Sequence, residues 1–204
     1  MILPSAYLGP VSYFKLISEN PNHFIESKAH FTKQTYRNRC YIYGANGSLG
    51  LTIPLQKWKN HTKIEDVLIS YDENWQTIHW KSIESAYRTS PYFEYYEMEL
   101  RPFYESKAQT SLLEFNTQLQ LKIADIIKLQ YTFAYTEKYE STNPDWRILM
   151  HPRNQAFNAT FNFPKYIQVF EDKYGFLSNL SILDALFNLG PKTLDYINSI
   201  EINK

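Results

Sequence analysis

The chain has 204 residues and a mass of 24.2 kDa, which fits one large domain. Its 21 Lys and Arg residues balance 21 Asp and Glu residues, so the composition provides no electrostatic attraction to nucleic acid or acidic membranes. Cys40 is the only cysteine, which excludes an intramolecular disulfide and a thiolate zinc site. There is neither an apolar run of the ~20 residues that span a membrane nor a basic secretory signal, and we therefore expect a cytoplasmic protein without membrane insertion.

The first half of the chain predicts a β-α-β opening followed by a β-hairpin. Pro10 suits the first turn of a helix. The Asn46-Gly47 pair favours a type I′ turn, in which both residues adopt a positive φ. The predicted strands cover 2–8, 24–26, 39–43 and 49–55, the predicted helix covers 11–18, and residues 67–70 are candidates for a further strand.

The second half is predicted to be mainly helical. Asn74 is a suitable N-cap, and Ser181 with Asp184 forms a capping box in which Asp replaces the usual Glu or Gln. Helices are predicted over 75–89, 110–129, 181–190 and 194–200, a strand over 166–170, and an irregular loop with at most one short strand over 138–164. These elements indicate a mixed α/β fold in one domain over residues 1–204, with a small central sheet, a β-hairpin and flanking amphipathic helices.

A cationic stretch precedes the hairpin and is the main candidate for a binding site. If residues 35–43 are extended, Lys33, Arg37 and Arg39 share one face, with same-face neighbours roughly 7 Å apart. Two guanidinium groups at that spacing suit a dianion or a carboxylate. The alternative is a solvated strand face that uses arginine for solubility and edge protection. Cys40 falls on the opposite face and is interpreted as a small buried hydrophobe.

Polar side chains interrupt the apolar faces of two predicted helices. His79 lies within the apolar arc of the 75–89 helix, where it is either a general base or a core histidine bonded to a carbonyl or a tyrosine. Asn116 lies near the centre of the apolar stripe of the 110–129 helix, where it either orients a substrate or pairs with loop backbone. An aromatic run that includes Tyr92 and Phe93 either lines a pocket or packs in the core.

Motifs of common enzyme classes are missing. The chain has no Walker loop, no G-x-G-x-x-G, no nucleophile elbow, no His-x-x-x-His and no Cys-x-x-Cys. Their absence argues against common NTPases, dinucleotide oxidoreductases and zinc hydrolases. We therefore predict neither a cofactor nor a metal.

Several motifs in order give the chain a family resemblance. They are Pro4-Ser5-Ala6-Tyr7 with Gly9-Pro10 and Tyr13-Phe14-Lys15-Leu16-Ile17, Lys33 with Asn38-Arg39, Leu51-Thr52-Ile53-Pro54, Trp75 with His79, Tyr87 with Ser90-Pro91-Tyr92-Phe93, and the segment from Ser181 to Pro191. On these motifs the chain resembles the WbqC-like family of bacterial proteins over nearly its whole length. The Gly-Pro opening and the Arg-Asn-Arg form resemble the branch found in Bacteroidetes-type bacteria.

The resemblance implies a role in the biosynthesis of surface polysaccharides, because the family takes its name from a member encoded among O-antigen genes. The resemblance does not imply any particular reaction. The opening at residues 3–6 also departs from that of the O-antigen members, so the pathway of this branch stays open.

We consider two functional hypotheses. In the first, the protein is a transferase that acts on a nucleotide-activated or amino sugar, with acyl or aminoacyl transfer as the reaction and His79 as the catalytic base. The predicted residues for binding this small-molecule substrate are Tyr7, Lys33, Arg37, Asn38, Arg39, Trp75, Tyr87, Tyr92, Phe93 and Asn116. In the second, a non-catalytic ligand-binding or scaffold protein uses the same residues in structural roles. The first hypothesis requires both arginines and His79 to converge on one water-accessible cleft.

Overall fold

A computed structural model describes residues 1–107 and 110–203 and shows the expected mixed α/β fold. The strands are β1 (Ile2–Pro4), β2 (Asn22–Glu26), β3 (Arg39–Gly44), β4 (Gly47–Thr52), β5 (Thr132–Tyr135), β6 (Phe161–Asn162) and β7 (Glu201–Ile202). The helices are α1 (Val11–Glu19), α2 (Trp75–Tyr87), α3 (Phe93–Leu100), α4 (Pro102–Glu105), α5 (Leu112–Ile127), α6 (Trp146–Leu149), α7 (Gln155–Ala159), α8 (Glu171–Tyr174), α9 (Ile182–Leu189) and α10 (Thr193–Ser199).

The predicted β-α-β opening is present and forms the main sheet. β1 and β2 pair in parallel around α1, and β5 joins the other side of β2 in parallel, giving the order β1-β2-β5. β1 ends at Pro4 and is shorter than the predicted strand over 2–8; Tyr7 and Leu8 lie in a turn, where Leu8 has a φ of 43° that an extended strand does not accept. The carboxyl ends of the three parallel strands therefore meet at one edge of the sheet.

The β-hairpin is also present, in a separate two-stranded sheet. β3 and β4 are antiparallel, with Ile42 opposite Leu49. The positive φ falls on Gly47 alone, at 93°, so the prediction of a type I′ turn with a positive φ at Asn46 is wrong. The strand begins at Arg39, which leaves Lys33 and Arg37 in the preceding turns, where side chains do not alternate as they do in a strand.

Two helices form close to the predicted bounds and supply much of the core. α5 is capped by Ser111, whose hydroxyl accepts a hydrogen bond from the backbone N–H of Glu114, and it ends at Lys128 in a left-handed conformation. α2 begins after Asn74, but the Asn74 side chain accepts a hydrogen bond from the Thr77 hydroxyl and not from a backbone N–H, so the predicted side-chain cap is absent. The aromatic run after residue 91 continues as α3.

The C-terminal third departs most from the prediction. Two short helices, α6 and α7, lie within the segment expected to be irregular, and no strand forms over 166–170 in the described chain. Ile167 is 81% exposed there, while Tyr166 is tied to Asp184, so the segment is held by side-chain bonds and not by a sheet. Residues 67–70 likewise make only isolated bridges.

The end of the chain forms the predicted helices. Ser181 caps α9, and Gly190 ends that helix with a φ of 55° before α10 begins. Asp184 does not complete the predicted capping box, because its carboxylate bonds to Tyr87, Tyr166 and Gln168 instead. α9 and α10 pack against α1, and these helices share one apolar core with α2 and α5.

Candidate functional site

The residues predicted to form one site lie in separate parts of the molecule. His79, Tyr7 and Trp75 are in the core, and Lys33, Asn38 and Arg39 line a surface groove. Arg37 lines a different cleft. The prediction that both arginines converge with His79 on one water-accessible cleft is therefore wrong, because the turns before β3 direct Arg37 and Arg39 to different surfaces.

His79 is enclosed in packed aromatic rings and is 4% exposed. Its Nδ1 lies 2.9 Å from the hydroxyl of Tyr7, which in turn lies 2.9 Å from the hydroxyl of Tyr104, and the indole of Trp75 packs edge-on against the imidazole. Burial lowers the pKa of His79 to about 4, although its bond to the Thr52 backbone acts in the opposite direction. The imidazole is therefore neutral at pH 7 and faces protein, which is the geometry of a core histidine.

Asn116 is buried and braces the backbone next to the cationic stretch. Its Nδ2 donates to the hydroxyl of Ser5 at 2.9 Å and to the backbone carbonyl of Arg37 at 2.7 Å. The side chain thus joins α5 to the end of β1 and to the turn before β3. In this arrangement Asn116 positions Arg37 and has no open face for a substrate.

Tyr87, Tyr92 and Phe93 pack around α9 and not around a cleft. The hydroxyl of Tyr87 donates to Asp184 and accepts from the backbone N–H of Tyr43. Phe93 packs against Phe187, and the backbone N–H of Tyr92 donates to the carbonyl of Phe187. None of the three aromatic residues lines the two surface clefts described below, so the structure does not bring them to the predicted cationic residues.

A cleft with a volume of about 430 Å³ lies at the carboxyl edge of the parallel sheet. We name it the Arg37 pocket. The segments that follow β2 and β5 meet beside it, since the Ser27 backbone N–H and hydroxyl donate to Thr136. It is lined by Lys28, Ala29, His30, Thr32, Arg37, Tyr139, Arg147 and Ile148. Small-molecule sites in open α/β sheets commonly occupy this position and fall in this range of volumes.

A buried ion pair forms the inner wall of the Arg37 pocket. Arg147 bonds to both carboxylate oxygens of Asp145 and also to Glu26. The other oxygen of Glu26 accepts hydrogen bonds from Thr136 and from the backbone N–H groups of Lys28 and Ala29. Burial would raise the pKa of Glu26, but these bonds outweigh it and lower the pKa overall. Glu26 therefore stays ionised and holds the wall in place.

The guanidinium of Arg37 is buried in the pocket without a bonding partner. The residue is 5% exposed, and within residues 1–107 and 110–203 its guanidinium makes neither a hydrogen bond nor an ion pair. Burial lowers the pKa of Arg37 to about 10, Glu26 partly opposes the shift, and the nearby Arg147 adds to it. The carboxylates of Glu26 and Asp145 partly offset this charge, but the N–H donors of Arg37 have no acceptor among the described residues and are available to a ligand in the cleft.

Of the eight residues that line this cleft, sequence reasoning identified only Arg37, and it also missed Glu26 behind the wall. Glu26 and Arg147 are far apart in the chain, and Lys28 and His30 follow β2 in a segment with no recognisable motif. One signal was available, because polar residues directly after parallel strands lie at the ligand-binding edge of such sheets.

No group of three or more potential metal ligands occurs within the described part of the chain. None of the described helices has both the length and the apolar character needed to cross a bilayer.

Comparison with known proteins places the chain in a family. The sequence profile of the WbqC-like protein family matches residues 5–156, a range that contains the whole Arg37 pocket. The uncharacterized protein Rv1507c of Mycobacterium tuberculosis is 28% identical over 96% of this chain and 96% of its own length. No solved structure matches the chain. The branch of the family stays a prediction, but the profile covers most of the sequence, and the chain belongs to the WbqC-like protein family.

Proposed function

We propose that this protein binds a small molecule through a phosphate or carboxylate group in the Arg37 pocket. The observation that carries the proposal is the buried guanidinium without a partner. A guanidinium presents five N–H donors in a planar fork that matches the oxygens of these groups. Binding of an oxyanion would satisfy both the donors and the charge that folding has removed from water.

The charged groups around the pocket favour a ligand that accepts hydrogen bonds, and not a cation. Arg37, Arg147 and Lys28 face the carboxylates of Glu26 and Asp145, and Lys28 also pairs with Glu65 at 2.5 Å, so the cluster is formally neutral. The oxygens of Glu26 and Asp145, however, already accept hydrogen bonds from the protein. The hydrogen-bonding groups of the cluster that remain unused are therefore donors, and they belong to Arg37.

The finer part of the proposal names a substrate class and a reaction, which are tested separately from anion binding. A nucleotide-activated or amino sugar of surface-polysaccharide biosynthesis would place its phosphate or carboxylate on Arg37, and acyl or aminoacyl transfer is the reaction to test. The catalytic base would be His30, an exposed imidazole that lines the pocket, in place of the enclosed His79. Such a base must reach the substrate, and His30 lies on the same cleft as Arg37.

The second candidate function is a ligand-binding protein without turnover. It is favoured by the bonding of His79, Asn116 and Tyr87, each of which has a structural partner in the core. Replacement of His30 by glutamine separates the two candidates. For a transferase we expect ligand binding to persist while turnover of the sugar substrate falls at least about 100-fold, in line with the usual contribution of a general base.

The binding proposal is tested with Arg37→Met, which keeps an unbranched side chain of similar length but removes the charge. Without ligand we expect the variant to be more stable than the wild type by about 1–3 kcal/mol, because an unpaired buried charge is lost. Sodium phosphate or pyrophosphate at about ten times its Kd should stabilise the wild type by about 1.4 kcal/mol and raise Tm by roughly 3–6 °C. Arg37→Met should show no such rise.

The matched control is Arg88→Met, which removes an exposed arginine that pairs with Glu84 on α2. It should keep the wild-type response to phosphate. The proposal is wrong if the wild type shows no response to phosphate, pyrophosphate or simple carboxylates at low ionic strength. It is also wrong if Arg37→Met responds as the wild type does, or if the substitution lowers stability, which would make Arg37 a structural cation.

A further inference from the structure

A second cleft lies on the other side of the chain segment that borders the Arg37 pocket. In residues 30–32 the side chains alternate: His30 and Thr32 line the Arg37 pocket, whereas Phe31 lines the second cleft, which Lys33 of the following turn also lines. The segment is held in this extended form by a hydrogen bond from the backbone N–H of Phe31 to the carbonyl of Thr62 and by a bridge between residues 30 and 63. Alternation is the expected geometry for an extended chain.

This cleft, which we name the Trp58 groove, combines an indole ring with two cations. Its volume is about 290 Å³. Trp58 is partly exposed and packs edge-on against Phe31, and the ammonium of Lys33 lies 5.0 Å from the centre of the Trp58 ring. Arg39 lines the same groove and is held by a hydrogen bond from its Nε to the hydroxyl of Thr52 at 2.9 Å.

Neither cation of the groove is neutralised by the protein. Among residues 1–107 and 110–203, Lys33 and Arg39 form no ion pair with a carboxylate, in contrast to cations such as Lys28 and Arg88. The exposed Lys33 places its ammonium over the partly exposed ring of Trp58. Arg39 is oriented by its hydrogen bond to Thr52, so the groove presents two cations beside an indole ring.

We propose that the Trp58 groove binds a nucleotide, with the base stacked on the indole of Trp58 and the phosphate bound by Lys33 and Arg39. A planar base gains more from stacking on an indole than an exposed lysine gains from its cation–π contact, so the base displaces the ammonium. The displaced ammonium then pairs with the phosphate. The inference goes beyond the proposed function, because the groove does not contain Arg37 and can be tested without it.

The test uses the full-length protein and three probes that separate base from phosphate: AMP, adenosine and ribose 5-phosphate. Binding is followed by tryptophan fluorescence and by calorimetry in the Arg37→Met background, which removes the other anion site. We expect AMP to quench the fluorescence and to bind at least about 10-fold more tightly than either adenosine or ribose 5-phosphate, because it alone makes both contacts.

Two sets of variants identify the site. Trp58→Leu should abolish the quenching and reduce AMP affinity about 10-fold or more, to the level of ribose 5-phosphate. Lys33→Gln with Arg39→Gln, both at partly or fully exposed positions, should reduce AMP affinity to the level of adenosine and keep the fold. If Trp58→Leu fails to fold, the Lys33→Gln and Arg39→Gln variant tests the same site. Arg88→Gln is the matched control and should bind AMP as the parent does.

The proposal is overturned if AMP does not bind, or if it binds equally well after the Lys33 and Arg39 substitutions. It is also overturned if ribose 5-phosphate binds as tightly as AMP, since the base would then make no contact. These outcomes differ from failure of the proposed function, which is measured by the phosphate response of the protein that retains Arg37. If the protein binds AMP but phosphate does not stabilise the form that retains Arg37, nucleotide binding in the Trp58 groove is supported and anion binding by Arg37 is not.

Discussion

Burial determines which ionisable side chains of this protein are available for chemistry. His79 and Arg37 are both almost fully buried, but their surroundings differ. His79 is neutral and bonded to Tyr7, and its burial makes it inaccessible to a substrate in solution. Arg37 keeps its charge and has no hydrogen-bond acceptor among the described residues, which is why we propose it as the ligand-binding group. On that proposal, the same degree of burial gives a structural residue in one case and a binding residue in the other.

The buried histidine should make stability depend on pH in a defined window. The folded-state pKa of His79 is about 4, below its ordinary value of 6.5, so between these values the unfolded chain binds more protons and acid destabilises the fold. On acidification from about pH 7 to about pH 4, this group alone should cost about 2–3 kcal/mol of the free energy of unfolding. Urea unfolding at several pH values measures it.

The comparison variant is His79→Gln, whose side-chain carbonyl can still accept from the Tyr7 hydroxyl but does not titrate. Other acid-sensitive groups are common to both proteins, so the difference between their pH profiles isolates His79. Parallel pH profiles for wild type and variant would show that His79 is not the buried neutral imidazole described above.

At the scale of secondary structure, local signals were sufficient where a helix or turn depends on its own residues. The Asn-Gly pair located the hairpin, and Ser181 marked the start of α9. Local signals failed where tertiary bonds decide the conformation. Residues 166–170 have the apolar content of a strand, but the bond from Tyr166 to Asp184 holds them in an irregular path.

The hairpin turn provides a test at this scale. Gly47 has a φ of 93°, and a Cβ at this position would meet no atom within 4 Å, so Gly47→Ala changes only the backbone energy. We expect it to cost about 1 kcal/mol or more in the free energy of unfolding. Asn46→Ala is the matched control, because Asn46 does not have a positive φ, and it should change stability by less than about 0.5 kcal/mol. Equal costs at the two positions would indicate that Asn46 also has a positive φ, as in a type I′ turn.

For the molecule as a whole, the carboxyl edge of the parallel sheet organises the site. Glu26 ends β2, and its carboxylate joins three regions: the segment at residues 28–29, Thr136 after β5, and Arg147 in α6. The wall of the Arg37 pocket therefore depends on one buried carboxylate. No other described residue bonds to all three regions.

Replacement of that carboxylate should damage both the fold and the site. Glu26→Gln removes the charge that pairs with Arg147 and turns an amide N–H₂ toward groups that donate hydrogen bonds. We expect a loss of about 3–5 kcal/mol in the free energy of unfolding, measured by urea denaturation. Glu65→Gln, which removes the half-buried partner of Lys28, is the control and should cost less than about 1 kcal/mol. Similar costs for both variants would contradict the central role of Glu26.

The sequence by itself determined the fold class, the β-α-β opening, the hairpin, the two long helices and the family. These features depend on hydrophobic period, capping residues and turn chemistry, which act over a few neighbouring residues. The sequence also pointed to Arg37, because it lies in a cationic stretch with Lys33 and Arg39 in a chain without net charge. Only the tertiary structure decided that Arg37 and Arg39 face different clefts, that His79 is enclosed, and that Glu26 and Arg147 meet. Those outcomes depend on contacts between residues distant in the chain, 72 positions apart for Tyr7 and His79 and 121 for Glu26 and Arg147, which no local pattern encodes.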